Sequence, residues 1–519
     1  MLRRTVLLVA LFAGACSSQT PAAAGDGTAR IGLGAPTSLD PAATGDSTSA
    51  ALTAQFFETL TTFDETLELR PALAESWRIE DGGRRIVFRI RPGLTFSDGT
   101  PLRAADVVRS WLRVIDPDAP SPLATLMLDV KGAREYISGD GNANDVGLTA
   151  DDGANEVVVE LVRPAAEFVT IVASPTFGIV PPSVGTDANA LQASEAFVAS
   201  GGYRLTEQTP DTMVLSANPA YWAGPPAIAE ITVVNDLGGA SGVDAFEEDQ
   251  LDYAFISESD AAWIAYDPVL GPQLREVPSL STDFYGFDAS RPPFDDVRVR
   301  RAFAAAVDWR RIALLAVPDP TGVATSMVPP GIPGRSDRDV LPEHDPDAAR
   351  ALLADAGFPG GAGFPEVTLL TGGSPYDEAV VSEIKRELGV TLRSEVMDFG
   401  TYFDRLDTEP PQMWQLSWVA DYPGRNDFLG VLLGTGSTNN YGRWSSPEFD
   451  AAIAEAVGTT DEAAASAAYD RAEDIVQSDA PVIPVTYGTG WALARDGLLG
   501  AGQNGLGALR FAGLAWAQP

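Results

Sequence analysis

Pro293-Phe294-Asp295-Asp296-Val297-Arg298-Val299-Arg300-Arg301-Ala302 is the stretch from which the fold can be read. Within and behind it, Val299, Phe303, Val307 and Leu314 recur at helical steps. The spacing predicts one amphipathic helix over 297–316. Downstream, Asp345-Pro346 is an N-cap with proline at the first helical position, and Gly357 is a stop. A strand over 367–370 and a helix over 376–388 follow, then helices opened by Ser446-Pro447 and spanning 461–477, then a buried strand over 482–487. Upstream, the alternation of Ile86, Phe88 and Ile90 predicts a half-buried strand. Val107, Val108, Trp111, Leu112 and Ile115 share one face of a helix that Asp116-Pro117 ends. Strands and helices mixed in this way predict α/β lobes.

The chain has 519 residues, of which 45% are hydrophobic, enough for two or three large cores. Asp and Glu number 72 against 35 Lys and Arg, a formal charge of −37 that excludes nucleic acid as a partner. One Cys rules out intrachain disulfides and Cys-based zinc sites, and the single His344 rules out multi-His metal sites. No G-x-S-x-G elbow accompanies His344, and Gly45-Asp46-Ser47 reads as a turn and helix start. A secreted hydrolase is thus a remote alternative. Asp140, Asn142, Asn144 and Asp151 touch a calcium-loop pattern, but Asp145 occupies the position that needs glycine, so a polar surface loop is the better reading.

Arg3 and Arg4, an apolar run over 5–12, and Ala13-Gly14-Ala15-Cys16 form a secretory leader. The apolar run is too short to span a bilayer. Small residues directly before the lone Cys resemble a bacterial lipobox, which makes residues 1–15 a signal peptide and Cys16 the lipidated first residue. Residues 16–27 read as a flexible tether. The expected location is extracytoplasmic, lipid-anchored to the cell membrane at the cell surface or in the periplasm.

Several stretches in order resemble one family. They are Ser38-Leu39-Asp40-Pro41, Phe57-Glu58-Thr59-Leu60, Pro71 to Trp77, Phe96 to Pro101 with Ala105-Asp106-Val107-Val108, Tyr203-Arg204-Leu205, Asn218 to Trp222, the opening stretch at 293–302, Asp345 to Gly357 and Ala480 to Pro484. Together they resemble the extracytoplasmic solute-binding proteins of ABC importers, family 5, the peptide/nickel type, and most nearly its oligopeptide binders. The resemblance implies an α/β, periplasmic-binding-protein-like type II fold, with two lobes joined by a hinge and an extra inserted domain. It puts lobe I at 28–57, 178–277 and 488–519, the inserted domain II at 58–177, and lobe II at 278–487.

It also implies a site. Trp418-Val419-Ala420-Asp421-Tyr422 resembles the strand of peptide binders whose terminal acid pairs with the ligand's α-amino group; that acid here is Asp421. The strand Trp418–Ala420 would bond an extended peptide backbone, with Tyr422 and Asn439 beside it. The implied partners are an oligopeptide or similar solute and a membrane permease. No catalytic residue, metal or cofactor is expected, and the chain is expected to be a monomer. Gln415 replaces an Arg that oligopeptide binders can carry six residues before the acid, Asp288 stands where Asn is usual, and Glu58-Thr59 replaces an acid-glycine pair. Arg405 is a candidate substitute anion contact. An oligosaccharide or another small solute remains the alternative ligand, with Trp414, Trp418 and Trp444 available for stacking.

Overall fold

A computed structural model describes residues 27–518, apart from 65, 166, 186–190, 192–196, 317–319, 460, 507 and 508. Cys16, the leader and the tether up to residue 26 lie outside the described residues. Among these residues no helix is long and apolar enough to cross a membrane.

The backbone of the molecule is a ten-stranded mixed sheet. Its strands run in the order Leu392–Val396, Val367–Thr371, Met413–Val419, Leu274–Phe287, Val482–Ala494, Tyr253–Ile256, Gly27–Gly32, Ile228–Val234, Thr212–Ala217 and Tyr203–Gln208. Two long strands in the middle, Leu274–Phe287 and Val482–Ala494, run from one lobe into the other. Their first ladder pairs Leu274–Pro278 with Leu493–Thr489 and their second pairs Thr282–Gly286 with Tyr487–Val482. Between them the register shifts, a bulge that loosens pairing at the crossover. Gly488 sits there because a Cβ would lie 2.0 Å from the Ser281 hydroxyl.

Each part has its own core. Ala29, Leu52, Phe56, Tyr203, Ile231 and Ala492 are among the buried residues of lobe I. Lobe II buries one cluster on each face of its half of the sheet, around Phe303, Tyr285 and Ile483 on one side and Phe284, Trp414 and Phe449 on the other. The inserted part carries a separate four-stranded antiparallel sheet of Ala74–Glu80, Arg85–Ile90, Glu156–Glu160 and Leu148–Asp151. The helix Ala104–Val114 covers it and buries Trp111, which Phe88, Phe168 and Phe177 meet edge-on.

Two elements differ from the sequence expectation. The helix over 297–316 is two helices, Val297–Ala306 and Trp309–Ala316. Val307 is extended, and Asp308 starts the second helix, its carboxylate accepting from the Arg311 N–H at 3.1 Å. The apolar period continues through the break, so the period alone hides it. The strand expected over 482–487 runs on to Ala494, because pairing with Leu274–Pro278 overrides the weak strand propensity of Gly488 and Gly490.

The motif Ser38-Leu39-Asp40-Pro41 has a structural reason. Asp40 is fully buried and binds Arg113 of the helix Ala104–Val114 through both guanidinium nitrogens. The same carboxylate accepts from the Ala42 N–H at 3.0 Å, and Arg113 Nε donates to the Gly185 carbonyl at 2.8 Å. Asp40 and Arg113 are therefore matched at this seam between lobe I and the inserted sheet.

Candidate functional site

The strand Met413–Val419 is central at its start and an edge at its end. One side pairs with Leu274–Phe287 along its whole length, from Phe287↔Met413 to Ser281↔Val419. On the other side the register with Val367–Thr371 ends at Leu370↔Trp414. Backbone groups alternate between the sides of an antiparallel strand. The Ala420 N–H donates to the Leu280 carbonyl, so Ala420 and Trp418 face the inner strand. Gln415 faces the other way, its carbonyl taken by the Tyr402 hydroxyl. Ser417 and Val419 share that outward direction, beyond the last paired residue. This corrects the expected Trp418–Ala420 pairing: of those three, Val419 presents its backbone to an open edge, and Ser417, which the sequence reading omitted, joins it.

Asp421 follows directly. Its Oδ2 is buried without a hydrogen-bond partner. Burial pushes its carboxyl up to about 7, and among the described residues no ion pair involves it. The second acid of the site, Asp427, was not singled out from sequence. It is fully buried at the start of the turn Asp427–Val431. Its Oδ2 accepts from the Asp421 N–H at 3.0 Å and from Trp418 Nε1 at 3.1 Å, while its Oδ1 has no partner. Burial, then the Asp421 charge, push the Asp427 carboxyl well above the usual range. A loop acid six residues from Asp421, in a chain with 72 acids, carries no sequence signal.

The inserted domain supplies the opposite wall. Glu167 lies just ahead of the short helix Phe168–Ile171, and burial followed by the nearby Asp129 charge pushes its carboxyl up to about 7. Its negative field reaches Asp427, Tyr422 and Tyr469 of lobe II. Arg163, bound to Asp129 by both Nε and Nη2, donates weakly to the Ala454 carbonyl at 3.4 Å. Thr438 donates to the Pro122 carbonyl at 3.4 Å. The two sides are in contact across the cleft, so the lobes are closed.

Tyr422, expected beside the strand, turns inward. It is fully buried within the core of the inserted domain, and its hydroxyl accepts from Asn426 Nδ2 at 3.1 Å. Trp418 is half-buried and packs against both that core and lobe II. Asn439 lies elsewhere, lining a small apolar cavity with Phe284, Trp414 and Leu432, its Nδ2 buried without a partner. Trp414 and Trp444 are core residues at 2% and 4% exposure, so neither offers a face for a sugar. Arg405 lies near Glu395 and Glu409, which occupy it as an anion contact. Asp288 binds Arg291 and caps Ser290. His344 is exposed ahead of the helix Pro346–Asp355. Asp151 is turned onto the Gly153 and Ala154 N–H groups, and Asp145 onto Asn142. Among the described residues no group of His, Cys, Asp and Glu is arranged to hold a metal ion.

Two lobes joined by paired crossing strands, with two buried carboxylates that keep unpartnered oxygens where lobe II meets the inserted domain, are the arrangement of a solute-binding protein. Residues 68–440 match the bacterial extracellular solute-binding proteins, family 5, and the chain belongs to that family. It is 30% identical over 462 residues to the probable deoxycholate-binding periplasmic protein of Escherichia coli K12, covering 85% of this chain and 84% of that one. It is 28% identical to the periplasmic oligopeptide-binding protein of Salmonella typhimurium, covering 83% and 81%. The solved murein tripeptide-binding protein of Escherichia coli superposes with a TM-score of 0.85 at 25% identity, covering 96% of this chain and all of that one. The fold is thus the type II two-lobed architecture with an extra domain, and the named relatives are periplasmic binding proteins.

Proposed function

We propose that the chain captures extended oligopeptides and hands them to the permease of an ABC importer, without chemistry of its own. In this reading lobe I is 28–57, 178–277 and 488–519, the inserted domain II is 58–177, lobe II is 278–487, and Cys16 anchors a monomeric body to the membrane. Asp421 receives the ligand's α-ammonium, and the outward backbone groups of Ser417 and Val419 pair with the peptide main chain. Pairing through the backbone is indifferent to side chains, which suits a binder of many sequences.

The observation that carries the reading is the Asp421 carboxylate, buried with an unpartnered oxygen and no protein cation beside it. An ion left uncompensated in a closed cleft costs several kcal/mol, and a ligand ammonium offsets that cost. Calorimetry with tri- and tetrapeptides tests it. Asp421→Ala should weaken binding more than tenfold, about 1.4 kcal/mol or more, and N-acetylation of the peptide should weaken binding to the unmodified protein similarly. Unchanged affinity in both experiments would remove Asp421 from the site. A bile-salt anion would meet unpaired acids, so a thermal shift with deoxycholate and none with peptides would overturn the peptide reading. A mature protein whose mass lacks acyl chains at Cys16 would remove the anchor.

A further inference from the structure

The sheet face next to the open edge carries an acid that packing does not explain. Asp283 lies on the strand Leu274–Phe287, directly opposite Ser417 on one side and Thr486 on the other. Its Oδ2 accepts from the Thr486 hydroxyl at 2.8 Å, and among the described residues no ion pair involves it. Side chains two apart on a strand share a face, and from this one Tyr285 and Phe287 enter the core of lobe II. An apolar residue at 283 would suit that core, whereas a half-buried carboxylate without a cation is costly. Burial holds its carboxyl above the usual range. The other acid on this side of the sheet, Asp377, has both oxygens taken, by the Tyr285 and Thr371 hydroxyls at 2.5 Å each. Tyr376, whose ring meets that of Tyr285 at 6.2 Å, adds a hydroxyl buried without a hydrogen-bond partner.

Ser417 connects this acid to the open edge. It is exposed, its side chain is small, and its strand has no neighbour on that side beyond Trp414. A peptide strand added there would lie about 5 Å from Ser417 and about 10 Å from Asp283, one and two strand spacings. The peptide residue level with Ser417 would project its side chain on the same face, over Ser417 and towards Asp283. Only a long side chain crosses that gap, and the carboxylate at its end calls for a cation. We propose that Asp283 is a specificity residue, which selects Lys or Arg at the peptide position level with Ser417. This deepens the peptide reading and rests on it. The aliphatic stem passes over Ser417, the cation pairs with Asp283, and backbone pairing holds the rest of the peptide whatever its side chains.

The test is calorimetry at pH 7.5 with alanine tetrapeptides that carry lysine at each position in turn, or norleucine, which keeps the stem and removes the charge. The lysine-to-norleucine affinity ratio should peak at a single position, at least fivefold above the mean of the others. A general pull from the net charge of −37 would instead raise the ratio at every position alike. Asp283→Asn, which keeps an oxygen for the Thr486 hydroxyl, should lower the peak at least threefold. A profile without such a peak, or a peak that Asp283→Asn lowers less, overturns the role of Asp283 and leaves the peptide reading intact. If a thermal melt shows that this variant does not fold, the profile of the unmodified protein decides alone. Binding of no peptide in the set overturns the peptide reading and this inference with it.

Discussion

Two buried carboxylates of this chain sit at two seams of the same inserted domain and meet opposite fates. Asp40, at the seam with lobe I, has a bidentate guanidinium and a capped backbone N–H. Asp421, at the seam with lobe II, has a free oxygen and another acid for a neighbour. Burying a charge is tolerable where a partner is built in, and is otherwise held in reserve for something that arrives. In the proposed function the first seam is a fixed joint, and the second opens and closes on a ligand. The contrast needs no difference in residue type, since both are aspartates near proline-bearing turns; it lies in what surrounds them.

The comparison can be broken from either end. The largest effect belongs to the fixed joint. Asp40→Ala leaves Arg113 buried at 7% exposure without its anion, and should cost about 3–5 kcal/mol in urea melts. A loss below about 1 kcal/mol would mean that the two seams are alike. At the open seam the sign reverses: Asp427→Asn keeps the oxygen that accepts from Trp418 and the Asp421 N–H but removes the charge. The ligand-free protein should gain on the order of 1 kcal/mol at neutral pH, and a destabilised variant would contradict the idea of an uncompensated acid.

A further test is the pH dependence. Asp421 and Glu167 titrate near 7 in the folded chain, against about 4 when unfolded. Between those values the folded state holds protons that the unfolded state has lost. Ligand-free stability should therefore fall as pH rises from about 4 to about 7, and level off above it. Peptide affinity should run the opposite way, dropping as pH falls below about 7, because the ammonium pairs with the ionised form. Melts and calorimetry across pH 5 to 8 check both slopes, and two slopes of the same sign would contradict the assignment.

Much of the architecture was legible because caps and periods are local. Asp345 and Ser446 each cap the helix expected of them, accepting from the Ala348 and Phe449 N–H groups. The break at Asp308 was hidden because an apolar period survives a one-residue kink. In the proposed site, Asp421 is singled out by the family resemblance, and the structure buries its neighbour Tyr422 in the core of the inserted domain. Side-chain direction at the end of a strand depends on what packs against it, and here the inserted domain encloses the ring. Asp427 was not legible at all: it comes from a loop, and only folding sets it against the Asp421 N–H and the Trp418 indole.

The sequence by itself determined the α/β elements and the lobed family, and it supplied the acid at the end of the Trp418 strand that the proposed function uses. These follow from short-range chemistry: period, capping and ordered motifs. Tertiary structure alone decided which backbone groups stay unpaired, which tryptophans are core, and which of the 72 acids lack a counter-ion. Solvent exposure and charge compensation are set by residues hundreds of positions apart, and no local pattern encodes them.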